Sequence, residues 1–477
     1  MSIRIFYMLL AILLCCPMPL MAQRTTVRPN ILLIFADDLG WKDVGYQGSD
    51  FYETPNIDRL AKQGMVFGAA YASAGNCQPS RACLISGQYT PRHHVYAVNS
   101  TERGPKPMMR TIPIPNRSGL GTEVVSIADA LKDAGYRTGI FGKWHLSGPE
   151  GCEPGEQGFD VVMDVPQQGN GVREDPKGIY EITNAAIDFM KSDDNRPFFA
   201  YVSHHAVHTG WQFQKQTQEH FQTKSNQGLQ HTRRGLASCI YDFDNAVGEL
   251  MQALNDLNIA ENTLVIFTSD NGGTNASSQE PLRGNKGGYY EGGIREPFFA
   301  IWPGKIKAGT KCDTPIINVD FFPTLLDVAG VLDSTALTLD GESILPLLQQ
   351  SGKLKRKSIF WHFPGYLDMA VIRGRDPEFR TRPVSVINRD HWKLLLYHEE
   401  WNLDGGREKM DINNSVELYD LRNDMGEHNN VALTNKQVRD ELVDELLDWM
   451  KQTNAQMARD ENPDFDPEFQ PQPKRDP

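Results

Sequence analysis

Four short, almost purely apolar runs, each broken off by polar or charged residues, constrain this chain more than any other feature. Asn30–Ala36 (NILLIFA) is followed at once by Asp37, Asp38 and Gly40. Thr263–Ser269 (TLVIFTS) runs into Asp270, Asn271, Gly272 and Gly273. Residues 136–141 (YRTGIF) lead into Gly142, Lys143, Trp144 and His145, and residues 197–203 (PFFAYVS) end at His204 and His205. Runs apolar throughout, rather than at alternate positions, predict strands buried on both faces, as parallel strands are. Helical periodicity over 124–134, 178–191, 236–257 and 320–329 alternates with them. The pattern predicts an α/β fold whose sheet gathers polar residues from distant segments at one edge, where such folds bind ligands.

The two ends of the chain differ from this pattern. Arg4, an apolar run over 5–14 and a small residue at Ala22 predict a secretory leader spanning 1–22. The run is about half the roughly 20 residues that a membrane span needs, so stable membrane insertion is not expected. The expected location is periplasmic or secreted, after cleavage near Ala22. Beyond about residue 355, segments 383–387 and 391–398 look like strands joined by tight turns, 399–414 like a charged loop, and 435–453 like an amphipathic helix. From Glu461 the tail is expected to lie extended on the surface. The organisation expected is a main domain over 23–355 and a smaller α+β domain over 356–477 that completes the pocket.

Charge and cysteine usage narrow the chemistry. The formal net charge of −13 argues against nucleic acid, whose binders carry basic faces, and an anionic ligand must be drawn by a local positive pocket. Of the seven cysteines, Cys15 and Cys16 belong to the leader; Cys77, Cys83, Cys152, Cys239 and Cys312 remain, without the paired spacing of a zinc site. Pairing among the last four is left open, and the odd count marks one thiol as special or free.

That thiol is Cys77. The stretch Cys77-Gln78-Pro79-Ser80-Arg81-Ala82-Cys83-Leu84-Ile85-Ser86-Gly87 resembles the sulfatase signature C-x-P-S-R-x-x-L-x-[ST]-G. Further segments resemble that family in order: Asp37-Asp38-Leu39-Gly40 its first metal loop, Gly142-Lys143-Trp144-His145-Leu146 its GKWHLG segment, and Asp270-Asn271-Gly272 its second metal loop. Leu282 to Gly287 looks like its lysine loop, with matches at Glu291 to Arg295, Asp320 to Thr324, Leu339 to Gly341 and Glu417 to Leu421. The chain departs from the pattern at Ser147, which replaces a glycine, and at Val207, where a proline is usual between two histidines.

The resemblance implies an alkaline-phosphatase-like fold: a large, mixed, mostly parallel sheet flanked by helices, with a smaller C-terminal α+β domain. It implies oxidation of Cys77 to formylglycine (3-oxoalanine) by a formylglycine-generating enzyme. It also implies one Ca²⁺ held by Asp37, Asp38, the modified Cys77, Asp270 and Asn271, hard oxygen ligands of the kind that select such ions. One hydroxyl of the hydrated aldehyde would attack sulfur and form a covalent sulfo-enzyme, and the second would expel sulfate. Arg81 is expected to orient those hydroxyls, Lys143 and Lys286 to clamp sulfate oxygens, and His145, titrating near neutral pH, to act as base. His205 is expected to contact sulfate or protonate the leaving oxygen, with His204 and His208 as alternatives.

The expected substrate is a sulfated carbohydrate, cleaved in exo fashion on an algal or host glycan. Arg92, His93, His94, His208, Trp211 and His362 are candidates for its rim, since aromatic and basic groups suit sugars bearing further anionic groups. A formylglycine-dependent phosphonate or phosphate monoester hydrolase, and a non-catalytic glycan-binding relative, are the competing readings.

Overall fold

A computed structural model describes residues 28–167, 169–192, 194–331 and 336–471; the leader assigned to 1–22 lies outside them. Among the described residues, no helix is long and apolar enough to cross a membrane.

The apolar runs form the centre of an eight-stranded sheet. Across it the strands are Thr310–Cys312, Met65–Phe67, Phe299–Ile301, Thr263–Ser269, Asn30–Ala36, Phe198–Ser203, Arg137–Gly142 and Val161–Met163. All neighbours pair in parallel except Phe299–Ile301, which is antiparallel to both of its own. Asn30–Ala36 lies in the middle, with Ile34 opposite Phe267 on one side and Val202 on the other.

Alternation along this strand feeds two separate cores. Leu32, Ile34 and Ala36 face the helices Pro55–Gln63, Ile179–Met190 and Arg234–Asp256. Ile31, Leu33 and Phe35 face Cys77–Ser86, Ile127–Asp133 and Phe321–Val328. Both faces being covered, neither set of side chains needs to be polar, which is why the run carries no period-two signal.

The C-terminal part is a four-stranded antiparallel sheet, Ser358–Phe363, Val384–Arg389, Trp392–Tyr397 and Val416–Asp420, backed by the helix Lys436–Gln452. Its inner face shares a core with the main part. Trp361 is fully buried, lies edge-on to Tyr71 at 5.5 Å, and donates its indole N–H to the Ala72 carbonyl at 2.7 Å. The segment expected as a charged loop, 399–414, instead holds the helix His398–Leu403 and a 3-10 turn at Gly406–Lys409. Its charges are not all solvated: Glu399 is buried against Arg382 at 3.0 Å, which anchors the helix. The tail is pinned where Glu461 bridges Thr111 and Asn462 donates to the Met109 carbonyl at 2.8 Å. Cys77, Cys83, Cys152, Cys239 and Cys312 are all free thiols.

Candidate active site

The ends of the central strands bring the two acidic pairs into contact. Asp38, in the left-handed region at φ 65°, gives its N–H to Asp270 Oδ1 at 3.0 Å. Asn271 donates from Nδ2 to Asp38 Oδ1 at 2.8 Å. The turn after Asn271 requires glycine: a Cβ on Gly272 would stand 2.0 Å from the Gly292 carbonyl oxygen.

Cys77 is the first residue of the wholly buried helix Cys77–Ser86, and Arg81 lies one turn along the same face. The Arg81 guanidinium reaches Asp270 Oδ2 from Nε at 3.1 Å and Nη2 at 2.8 Å, while Nη1 reaches Ser203 Oγ at 2.5 Å and the Lys143 carbonyl at 3.1 Å. Lys143, at the end of Arg137–Gly142, places Nζ 2.7 Å from Asp37 Oδ2. Lys286 places Nζ 2.7 Å from Asp38 Oδ2. Asp37, Cys77 and Asp270 together present three buried donor atoms within 4.8 Å of one another.

Three carboxylates therefore face three fixed cations. Burial pushes the Asp37 carboxyl up, but Lys143 and Arg81 outweigh it and hold it well below the usual range. Asp270 bears the remaining strain: burial and then the Asp37 charge raise it to about 7. Burial also raises the Cys77 thiol. His145 differs from expectation. Burial and then the charges of Lys143 and Arg81 lower its pKa to about 3, so its imidazole stays neutral at neutral pH instead of titrating there. A neutral imidazole is the form able to accept a proton.

The residues fit a divalent cation. Asp37 Oδ1 and Asn271 Oδ1 are buried without a hydrogen-bond partner, although buried oxygens ordinarily have one. The donor set is hard oxygen, as Ca²⁺ and Mg²⁺ require. A doubly charged ion would also turn a neutral set of side chains into one with excess positive charge, which suits an incoming anion.

Asp37, Asp38, Cys77, Lys143, His145 and Lys286 line a cavity of about 730 Å³, while Arg81, Asp270 and Asn271 are fully buried in contact with them. Of the other candidates, His205, His208 and Trp211 line it. His205 Nε2 is taken by Asp164 Oδ1 at 2.6 Å, whereas His208 Nε2 lies 3.7 Å from Asp38 Oδ2. His204 is buried away from it, bonded to Thr183 Oγ1 at 3.0 Å. Four rim candidates do not reach the cavity. Arg92 is drawn to Asp340 at 2.7 Å. His93 is buried against the Cys83 sulfur, and His94 turns to the Tyr96 hydroxyl at 3.1 Å. His362 is buried between Ser385 Oγ at 2.8 Å and the Gln456 carbonyl at 3.1 Å. Lys177, Arg103 and Arg380 line the cavity instead. They come from a loop, the 3-10 turn Pro176–Gly178 and the short strand Phe379–Thr381, none of which carries a motif, and only their positive charge could have drawn attention to them.

The family model described as Sulfatase matches residues 29–331, well over half of the chain. The chain belongs to the sulfatase family. A second model, N-sulphoglucosamine sulphohydrolase, C-terminal, matches residues 285–456 of this sulfatase. It is similar to a Sulfatase of Formosa agariphila, at 33% identity over 92% of each chain. It is also similar to arylsulfatase A of Homo sapiens, at 32% identity over 84% of this chain and 83% of that one. Among solved structures, Ps i-CgsB matches with a TM-score of 0.71 and 27% identity, covering 91% of this chain and 95% of that one. A phosphonate monoester hydrolase of Agrobacterium radiobacter, at 21% identity and a TM-score of 0.65, shares the fold. The protein is thus an enzyme that hydrolyses sulfate esters.

Proposed function

We propose that this sulfatase removes sulfate from the end of a sulfated carbohydrate, with Cys77 matured to formylglycine by a formylglycine-generating enzyme and one Ca²⁺ at the acidic cluster. The observation that carries this reading is the meeting of Cys77 with three carboxylates and three fixed cations in one buried cluster, of which Asp37, Asp38, Cys77, Lys143 and Lys286 open onto the cavity. Asp37, Asp38, Asp270 and Asn271 would hold the ion together with the modified Cys77. The ion would lend Lewis acidity, and the hydrated aldehyde would offer one hydroxyl as nucleophile and a second for release of sulfate.

The chain's own groups divide the remaining work. Arg81 fixes the position of Asp270 and is assigned the orientation of the modified Cys77's hydroxyls. Lys143 and Lys286 hold donors beside Asp37 and Asp38 at the cavity wall, from which they would bind sulfate oxygens. His145, kept neutral, is assigned as the base for the second hydroxyl, whose loss of a proton would accompany release of sulfate. The leaving sugar oxygen needs a proton, and we assign that donation to His208 in preference to His205, whose Nε2 is already engaged by Asp164. Net, one water is consumed and an alcohol, sulfate and a proton are released.

A cavity of about 730 Å³ lies in the range of small-ligand sites, which favours a chain end over an internal stretch of polymer. Residues 356–477 contribute Met369 and Arg380 to its wall, and Trp211 offers an aromatic face for a sugar ring. The relative Ps i-CgsB was solved in complex with k-i-k-neocarrahexaose, which favours a glycan of the algal kind over a small aryl ester. Export through the leader at 1–22 would bring the enzyme to such a polymer.

Mass spectrometry of the Cys77 peptide from the native host tests the nucleophile. Conversion to the aldehyde is expected; an unmodified thiol in active enzyme refutes the mechanism. Turnover of matched aryl sulfate and aryl phosphate esters tests the reaction, and preference for the phosphate would favour the monoester phosphohydrolase reading.

A further inference from the structure

Lys177 is a buried cation to which the sulfate-ester reaction gives no role. It sits in a left-handed turn at φ 55°, just before the helix Ile179–Met190, and is 5% exposed. Its backbone is fixed on both sides: the N–H donates to Gln212 Oε1 at 2.8 Å, and the carbonyl accepts from Gln167 Nε2 at 3.2 Å. The side chain lines the same cavity as Cys77, Lys143 and Lys286.

The surroundings of its ammonium set it apart. Among the described residues Nζ has a single hydrogen bond, a long one of 3.4 Å to the Thr209 carbonyl, and no carboxylate within ion-pair distance. Three other cations of the cavity are paired with carboxylates, Lys143 with Asp37, Lys286 with Asp38 and Arg103 with Asp368; Arg380 has none either, but it is only half-buried and makes two bonds, to the Lys286 carbonyl at 3.0 Å and the Met369 carbonyl at 3.3 Å. An ammonium out of water with no counter-charge costs the fold free energy. Burial accordingly pulls Lys177 below its ordinary pKa. A packing role would be served better by an apolar chain of the same length. What an ammonium adds is the capacity to meet an anion entering the cavity.

We propose that Lys177 forms a second anion subsite, which receives a further sulfate or carboxylate on the sugar next to the ester being cleaved. This rests on the carbohydrate-sulfatase reading and narrows it to substrates with at least two anionic groups near one end. The subsite selects the substrate and takes no part in bond cleavage.

The test uses the full chain with Lys177→Met and Lys177→Arg. Each is assayed on 4-nitrophenyl sulfate, which carries one anion, and on matched sulfated oligosaccharides with no further anion, a second sulfate, or a uronate carboxylate. The unsubstituted enzyme is expected to favour one doubly anionic sugar by about 10-fold or more in kcat/KM, the size of one charge-assisted contact. Lys177→Met should abolish that preference through KM, leave aryl sulfate turnover within about 2-fold, and not lower the urea midpoint; Lys177→Arg should restore part of it. Which sugar responds distinguishes a sulfate from a carboxylate ligand. Equal losses on every substrate, a lowered urea midpoint, or no preference in the unsubstituted enzyme would overturn the proposal. Calorimetric binding of the same sugars to the Cys77→Ala protein keeps the decision independent of turnover. A failed hydrolysis assay would then count against the carbohydrate-sulfatase reading, while equal affinity for singly and doubly anionic sugars would count against Lys177.

Discussion

Replacing Arg81 by lysine keeps the charge and removes the fork, which separates two things the guanidinium does. Nε and Nη2 bind Asp270 Oδ2, and Nη1 binds Ser203 Oγ and the Lys143 carbonyl, all with the side chain 1% exposed. An ammonium is a point donor and cannot serve both groups of acceptors. Because Ser203 Oγ itself donates to the Lys143 carbonyl at 2.8 Å, that carbonyl stays satisfied if the lysine goes to Asp270. The loss is then one buried acceptor and one charge-assisted contact, about 2–3 kcal/mol in all. Arg81→Met leaves Asp270 without its ion-pair partner and should cost more, about 3–5 kcal/mol. Urea unfolding of the chelator-treated protein, at unchanged m, measures both. Turnover should fall in each, because Asp270 is no longer held in place. A lysine variant within about 0.5 kcal/mol of the parent would show that charge alone suffices and that the fork geometry was misjudged.

Three further outcomes are expected. Lys286→Ala should lower kcat by about 10²–10³, as removal of one donor to a developing charge does, and near-normal turnover would remove Lys286 from the reaction. Chelation should abolish turnover and lower the unfolding midpoint, and added Ca²⁺ should stabilise by about 2.7 kcal/mol at 100-fold excess over Kd; a midpoint indifferent to Ca²⁺ would count against a cation at this cluster. Burial raises the Glu427 carboxyl, and Glu291 works against the pull of Lys393, so that it titrates at about 7 in the fold against 4.5 in an ordinary chain. The fold thus binds that proton more tightly than the unfolded chain does. The associated stability is complete below about 4.5 and lost as pH rises through about 7. Glu427→Gln should flatten the thermal melting profile over that window, and an unchanged slope would refute the assignment.

The central strands and the acids behind them were legible because burial on both faces leaves an uninterrupted apolar run, and the residues just past its end lie at the sheet edge. Asp37 and Asp270 could be assigned to one site from that rule alone. The short strands Met65–Phe67 and Phe299–Ile301 were not legible, since three residues carry no periodicity to read. The rim failed for a different reason. His93 and His362 resemble ligands in sequence, yet each satisfies its nitrogens inside the protein, and nothing local announces that. Lys177 escaped notice because a single lysine in a loop is ordinarily solvated, and only the packing of Gln212 and Thr209 around it makes it otherwise.

The pairing of Asn30–Ala36 with Thr263–Ser269 bears on how activity is acquired. Asp37 and Asp270 come together only after nearly half of the chain has been closed into a loop, and the entropy of that closure must be met before the contact stabilises anything. Such topology predicts slow folding, with the reactive cluster assembled among the last features rather than the first. Recovery of turnover during refolding should therefore lag behind recovery of helix signal, and hydrolytic activity becomes a clock for completion of the whole sheet.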